Sequence, residues 1–332
     1  GLVPALNLAN CWKLITKLLS QSAGNLLGLN LLGIFRDYTP ELIFCSSNLI
    51  TLNLNKNNIN DNLGYYLAGL IEGDGSIYVP KTEKSVKGKI NYPSIQISFH
   101  LKDLPLALLI QKTIGHGSLN RVKNANCYIL TINNYTGIIL IINLINGKLR
   151  TPKLFDFNNL IDWMNLTSMD KTDFDTSSLE SNAWLSGFIE ADGHFSVRTS
   201  LSSKYPKIEC KLEISQRRIG KNDISNKLFL PPIAYLLLTT VKDIRSYSNY
   251  PQYRVRTTSL KANLILEEYL SKFPLFGTKY LDSVSWIKVL SYFKTGNHME
   301  NIKEISKIKN NMNDNRTIYN WDHLHYFYTY TK

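Results

Sequence analysis

Two nine-residue stretches of this chain are near copies of each other, and they constrain its fold more than any other feature. One is Leu67-Ala68-Gly69-Leu70-Ile71-Glu72-Gly73-Asp74-Gly75; the other is Leu185-Ser186-Gly187-Phe188-Ile189-Glu190-Ala191-Asp192-Gly193. Each is an apolar run that closes on two carboxylates and a glycine. Small residues recur four apart, Gly69 and Gly73 in one copy, Gly187 and Ala191 in the other. Positions four apart share a helix face. Each stretch therefore reads as a helix with one face stripped of bulk, on which two helices can meet backbone to backbone. Leu67, Leu70 and Ile71, with Leu185, Phe188 and Ile189, are left to pack into a core on either side. Asp192 follows Asp74 by 118 residues, about the size of one small domain. A duplicated acidic helix end in a basic chain points to a metal-dependent enzyme acting on a two-stranded polyanion.

Basicity is read from 38 Lys and Arg against 26 Asp and Glu, a net charge of +12 over 332 residues. That excess favours nucleic acid or an anionic membrane face. The longest apolar run, Gly137 to Ile142 with Leu144 and Ile145, is too short to span a bilayer, so no membrane partner is expected. Charged residues are only 19 % of the chain, which excludes a disordered basic tail. Cys11, Cys45, Cys127 and Cys210 form no CxxC pair, so zinc-finger and disulfide frameworks fail and a reduced compartment fits. Heavy use of Ile, Asn, Lys and Tyr, with 19 tyrosines, matches the coding bias of an A·T-rich genome and hints at an organelle. Residues 1–60 are Leu- and Asn-rich without a secretory pattern and read as a leader or linker.

After each motif the hydrophobic period changes from helical to alternating. Ser76–Val79 and Ser94–Phe99 read as strands, joined by a lysine-rich loop. Leu104–Ile114 reads as a helix ended by Gly115, Ser118–Val122 and Cys127–Ile132 as a second hairpin, and Gly137–Ile145 as a helix. The order repeats with strands at Phe195–Thr199 and Ile208–Gln216, and a helix around Ile233–Leu238 whose pattern Pro231-Pro232 is expected to break. Strands at Thr239–Ile244 and Tyr253–Thr257 and a helix at Leu260–Leu270 follow. Thr151-Pro152-Lys153 corresponds to Gly277-Thr278-Lys279, each before a tryptophan-bearing helix (Trp163, Trp286). The expected class is α+β, with two pseudo-symmetric αββαββα halves, each with a saddle-like antiparallel sheet, joined at the motif helices. The divisions are a first half over 61–165, a linker over 166–181, a second half over 182–310 and a tail over 311–332.

The paired stretches, their spacing and the strand pattern resemble the LAGLIDADG homing endonucleases and intron maturases in their double-motif, single-chain form, over roughly residues 62–310. In a helix of this kind a carboxylate at the C-terminal end faces the negative end of the dipole and wants a cation. The resemblance makes Asp74 and Asp192 metal ligands, with Gly73 and Ala191 beside them in the metal set. Oxygen ligands with a phosphate substrate suit Mg²⁺, for which Mn²⁺ can substitute. Metal-assisted hydrolysis of one phosphodiester in each strand follows. Lys153 and Lys279 match a lysine beside the metal site, and Gln216 a polar strand-end residue that orders solvent. The first-half counterpart of Gln216 is Phe99, so the two sites are unequal. Glu72 and Glu190 lie two residues before the ligands and read as structural acids. Gly69, Gly73, Gly187 and Ala191 form the helix interface.

Each half supplies two hairpins, a β-surface able to enter the DNA major groove. Candidate contacts are Tyr78, Lys81, Lys87, Lys89, Asn120, Arg121, Lys123 and Asn126 in the first half. In the second they are Arg198, Ser200, Lys204, Lys207, Lys211, Arg245, Tyr247, Arg254 and Arg256. Loop lysines suit phosphates; Arg, Asn and Ser on strands suit bases. His323-x-His325 has no partnering Cys or acid cluster, His194 reads equally as a strand residue facing solvent, and Gly115-His116-Gly117 lacks a P-loop lysine. The resemblance implies a monomeric, organelle-encoded enzyme of the mitochondrial matrix that cuts a long asymmetric target. Its rival is an RNA maturase bound to a group I intron.

Overall fold

The computed structural model describes residues 61–166, 170–200, 207–220 and 223–331; the leader over 1–60 and Lys204 lie outside them. The first half begins with the motif helix α1 (Asp61–Asp74) and runs directly into β1 (Gly75–Tyr78). It continues through β2 (Ser94–His100), α2 (Leu104–Ile114), β3 (Ser118–Arg121), β4 (Cys127–Ile132), α3 (Tyr135–Ile145) and α4 (Lys153–Trp163). The second motif helix, α5 (Trp184–Asp192), leads into β5 (Gly193–Ser200), β6 (Lys207–Arg217), α6 (Leu230–Leu236), β7 (Lys242–Ile244) and β8 (Gln252–Arg256). Helices α7 (Leu260–Lys272), α8 (Thr278–Lys294) and α9 (Ile302–Asn310) complete it. No helix among the described residues is long and apolar enough to cross a membrane.

Each half carries one antiparallel four-stranded sheet, in the order β1-β2-β4-β3 and β5-β6-β8-β7. The registers superpose the halves: Gly75 pairs with Ile97 as Gly193 pairs with Ile214, and Ile97 with Leu130 as Ile214 with Val255. The alternation of each strand sends Ile95, Ile97 and Phe99, and Leu212 and Ile214, into the cores beneath the sheets. The opposite faces carry the polar residues.

Two expectations change, one at the paired prolines and one at a strand. Pro231 and Pro232 do not break a helix; they occupy the first turn of α6, where a missing N–H costs nothing. The glycines that close the motifs are not needed for a left-handed turn, since Gly193 has φ −77°. They are needed for space. A Cβ on Gly193 would lie 2.6 Å from Ile189 Cγ2 and one on Gly75 2.6 Å from the Ile71 carbonyl oxygen. The expected strand at Thr239–Ile244 is also shorter, because only Lys242–Ile244 pairs with β8.

The halves meet where α1 crosses α5. A Cβ on Gly69 would collide with the Trp184 carbonyl oxygen and lie 2.7 Å from Phe188 N. On Gly187 it would collide with the Tyr66 carbonyl oxygen and lie 2.9 Å from Leu70 N. Backbone therefore touches backbone at both points. Replacing Gly187 by Ala is expected to destabilise the protein by at least about 2 kcal/mol, measured by urea unfolding. A variant of unchanged stability would mean the helices do not cross this closely.

Candidate active site

The close crossing brings the C-terminal ends of both motif helices together. At that end a Cβ on Gly73 would overlap that of Ala191 and lie 3.2 Å from Asp192 Oδ2. Asp74 and Asp192 thus share one crevice. Asp74 reaches solvent at its mouth, yet burial pushes its carboxyl up to about 6. Lys279 acts against that shift, Asp192 reinforces it and Lys153 opposes it. Two mutually repelling carboxylates at two negative helix ends form a site that favours a cation. Among the described residues there is no group of three or more His, Cys, Asp or Glu poised to hold a metal. The protein donors are two carboxylates and backbone oxygens, which leaves positions for water and phosphate.

The lysines close the helix ends. Lys153, the first residue of α4, donates from Nζ to the carbonyls of Ile71 (2.9 Å), Gly73 (3.0 Å) and Gly75 (2.6 Å). Lys279 donates to the Ala191 carbonyl. Each ammonium therefore neutralises a C-terminal dipole beside the acids. Gln216 Nε2 donates to Asp192 Oδ2 at 2.9 Å. Its counterpart by register is Phe99, which is buried and can make no such bond.

The motif glutamates do a different task. Glu72 and Glu190 are 5 % and 8 % exposed and line the inner walls of the two cavities beside the acids. Glu72 accepts from Arg150 N (2.9 Å), Thr151 N (2.5 Å) and, on the other motif helix, Trp184 Nε1 (2.6 Å). Glu190 accepts from Phe276 N (2.6 Å) and from the Tyr66 hydroxyl of α1 (3.3 Å). Each glutamate ties the loop before a motif lysine to an aromatic donor on the opposite motif helix. Sequence reading missed Trp184 and Tyr66 in this role, although they occupy equivalent places before the two motifs.

Those aromatics are covered differently. The Arg150 guanidinium stands 5.4 Å over the Trp184 ring and pairs with Asp175 at 2.5 Å. In the second half Phe276 replaces it, 5.2 Å from Tyr66, and Phe327 and Tyr330 of the C-terminal segment pack on both. His323 belongs to this packing: it is stacked 3.9 Å from Tyr280 and hydrogen-bonded to the Phe276 carbonyl.

Two cavities flank the acids, and each draws on both halves. One, of about 310 Å³, is lined by Asp74, Phe99, Asp103, His194 and Lys279 among others. The other, of about 200 Å³, is lined by Gly73, Lys153, Gln216 and Gly220.

The outer sheet faces differ in charge. Tyr78, Lys81, Lys87, Lys89, Asn120, Lys123 and Asn126 are exposed, and so are Arg198, Ser200, Lys207, Arg245 and Tyr247. Arg121 is exposed at the end of β3, and alternation puts it on the face opposite Asn120: Asn120 pairs with Ile129 and Arg121 with Tyr128. Lys211 is buried and paired with Glu209 at 2.5 Å. Arg254 and Arg256 flank Glu213 at 3.6 and 3.9 Å. Glu209 and Glu213, passed over in the sequence, share the face of these cations; their spacing of two residues on either side of Lys211 was the available signal.

A chain of this construction, with two like halves joined at paired acidic helix ends, is a double-motif single-chain protein. It belongs to the LAGLIDADG endonuclease family, whose model matches residues 67–164 and 185–290. It is 30 % identical over 308 residues to the intron-encoded DNA endonuclease aI3 of Saccharomyces cerevisiae, covering 80 % of this chain and 72 % of that one. It is 26 % identical to the uncharacterized cox1 intron-2 37.2 kDa protein of Schizosaccharomyces pombe, over 71 % of this chain and 68 % of that one. Among solved structures the fold matches the I-SmaMI LAGLIDADG homing endonuclease bound to cleaved DNA, with TM-score 0.61, 18 % identity and coverage of 76 % and 98 %. It matches the I-LtrWI LAGLIDADG homing endonuclease bound to target DNA with TM-score 0.60, 22 % identity and coverage of 77 % and 99 %.

Burial pushes Glu72 and Glu190 each up to about 7, against the N–H groups that hold them down. A folded-state value above that of an unfolded glutamate means proton uptake on folding, so this stability is present at acid pH and lost as pH rises through about 7. In metal-free buffer, unfolding free energy is expected to fall by about 1–3 kcal/mol per carboxylate between roughly pH 5 and 8. Glu72→Gln should flatten its share of the slope while lowering stability throughout. An unchanged slope in that variant would show that Glu72 is ionised across the range.

Proposed function

We propose that this chain is a site-specific endonuclease that hydrolyses one phosphodiester in each strand of double-stranded DNA, at a long asymmetric target, in intron homing. It acts as a monomer, its two halves taking the place of two subunits. The observation that carries this reading is the pairing of Asp74 and Asp192 at adjoining helix ends, between two β-surfaces in a chain of charge +12.

The residues present suit a hard divalent ion: oxygen donors only, on two negative helix ends, with room for phosphate in the flanking cavities. Asp74 and Asp192 would hold it, with the carbonyls of Gly73 and Ala191 adjacent; Mg²⁺ fits, and Mn²⁺ can replace it. When bound, the ion supplies Lewis-acid polarisation of the phosphate and of a water. Lys153 and Lys279 hold the helix-end carbonyls in place and set positive charge beside the scissile phosphates. Gln216 orients Asp192. The loop lysines Lys81, Lys87, Lys89 and Lys123 meet phosphates, and Asn120, Arg198, Ser200, Arg254 and Arg256 meet base edges. Lys207 and Arg245 lie at the margin of the second surface.

The family and the cox1 intron relative support a protein encoded within a mitochondrial intron and acting in the matrix. A second reading has one observation in its favour. The chain is 32 % identical over 129 residues, 39 % of its length, to the intron-encoded RNA maturase bI4 of Saccharomyces cerevisiae, of which it covers 18 %. An RNA maturase of a group I intron is therefore the outcome to test against cleavage.

Purified protein with Mg²⁺ should select and cut one long site from a randomised duplex library. Asp74→Asn and Asp192→Asn should each lower cleavage by at least about a hundredfold while duplex binding persists. No cleavage of a verified homing site, together with tight binding of the intron RNA, would overturn the endonuclease reading in favour of the maturase.

A further inference from the structure

The loop before each motif lysine carries backbone N–H groups that point inward, and the two halves treat the last of them differently. In the first half Arg150 and Thr151 donate to Glu72, and the next residue, Pro152, has no N–H to satisfy. In the second half Phe276 donates to Glu190, Gly277 follows, and the next residue is Thr278, whose N–H needs an acceptor. The acceptor comes from the other half. Thr278 N donates to Asp103 Oδ1 at 2.6 Å.

Asp103 stands immediately before α2, where an aspartate ordinarily caps its own helix. Its side chain makes no such bond and instead reaches across the interface to the start of α8. The residue in the same place before α6, also followed by Leu-Pro, is Phe229, which offers no side-chain acceptor. Phe229 lines the cavity beside Lys153, as Asp103 lines the one beside Lys279. The half that presents a proline thus faces a phenylalanine, and the half that presents an N–H faces a carboxylate. Gly277 makes the approach feasible: a Cβ there would lie 2.9 Å from Asp103 Oδ1 and 2.6 Å from Glu190 Oε1.

We infer that Asp103 is a positioning residue for Lys279, a latch from the first half that fixes the start of α8 and so aims that lysine at the Ala191 carbonyl. Asp103 and Thr278 act as a pair where Phe229 and Pro152 stand in the other half. The two strands of a duplex then depend on different residues. This inference rests on the endonuclease reading for its effect on cleavage, but not for its effect on folding.

The experiment is strand-resolved cleavage of an end-labelled target duplex, with Lys279→Met and Lys153→Met identifying the strand that each lysine serves. Asp103→Ala is expected to slow the Lys279 strand by about ten- to a hundredfold, so that nicked product accumulates, with the other strand near its wild-type rate. Asp103→Asn, which keeps an acceptor for Thr278, should cut both strands near the wild-type rate. Asp103→Gly with Thr278→Pro should recover much of what Asp103→Gly loses. Equal slowing of both strands, slowing of the Lys153 strand alone, or an Asn variant as slow as Ala would each overturn the inference. Melting temperatures of the same four proteins of the Gly/Pro cycle provide a readout independent of cleavage. The double variant should lose less than the sum of the singles, and additive losses would contradict the latch. If the wild type cuts no duplex, the endonuclease reading fails while this cycle still decides whether Asp103 and Thr278 are coupled.

Discussion

Everything in this molecule hangs on how closely two helices can cross. At Gly69 and Gly187 the backbone of one helix rests on the carbonyl of the other, with no room for a methyl group. Apolar burial alone could join two halves at many angles and distances, because it is proportional to area and has no direction. Contact of backbone on backbone is specific, and it carries both helix ends to the same place. Two aspartates that would be ordinary solvated acids on separate domains become one anionic crevice. The glutamates add a second constraint beneath it. Glu72 takes two N–H groups and Glu190 one from the loop before its own lysine, and each takes one donor from the opposite helix. Interface and lysine loops are thereby set together.

The halves are alike in construction and unlike in chemistry. Gln216 stands against Phe99 by strand register, Arg150 against Phe276 and Pro152 against Thr278 counting back from the motif lysines, and Phe229 against Asp103 before the following helices. These differences are concentrated around the acids and beneath them, where a self-assembling pair of identical subunits would be obliged to match. The outer faces diverge too. The second sheet interleaves Arg254, Arg256 and Lys211 with Glu209 and Glu213, whereas the strands of the first present Gln96, Ser98, Ser118 and Asn120. Two unlike surfaces suit two unlike half-sites.

Much of this was legible in the sequence because it is periodic or duplicated. Small residues four apart announced the crossing, alternation announced the strands, and Leu104–Ile114 with Gly115 at its end was read to the residue. What escaped was non-local. Nothing in the order of residues says that Trp184 and Tyr66 donate to glutamates on the facing helix, or that Asp103 serves a helix 175 positions away. Pro231-Pro232 misled because a helix break and a helix start have the same composition, and only the position of the first turn separates them. The need for the closing glycines escaped too, since the space they require is set by the preceding turn of helix and not by their own dihedral angles. Arg121 was read by type alone; its parity along the strand differs from that of Asn120, and it stands exposed at the strand's end.

The most direct test of the shared crevice is anomalous diffraction from crystals of the protein with its target duplex and Mn²⁺. If the crossing assembles one site from two helix ends, metal peaks lie within coordination distance of both Asp74 and Asp192, and an Asp192→Asn crystal loses occupancy at the common position. Metal found bound to one aspartate only, or held away from both helix ends, would contradict the account.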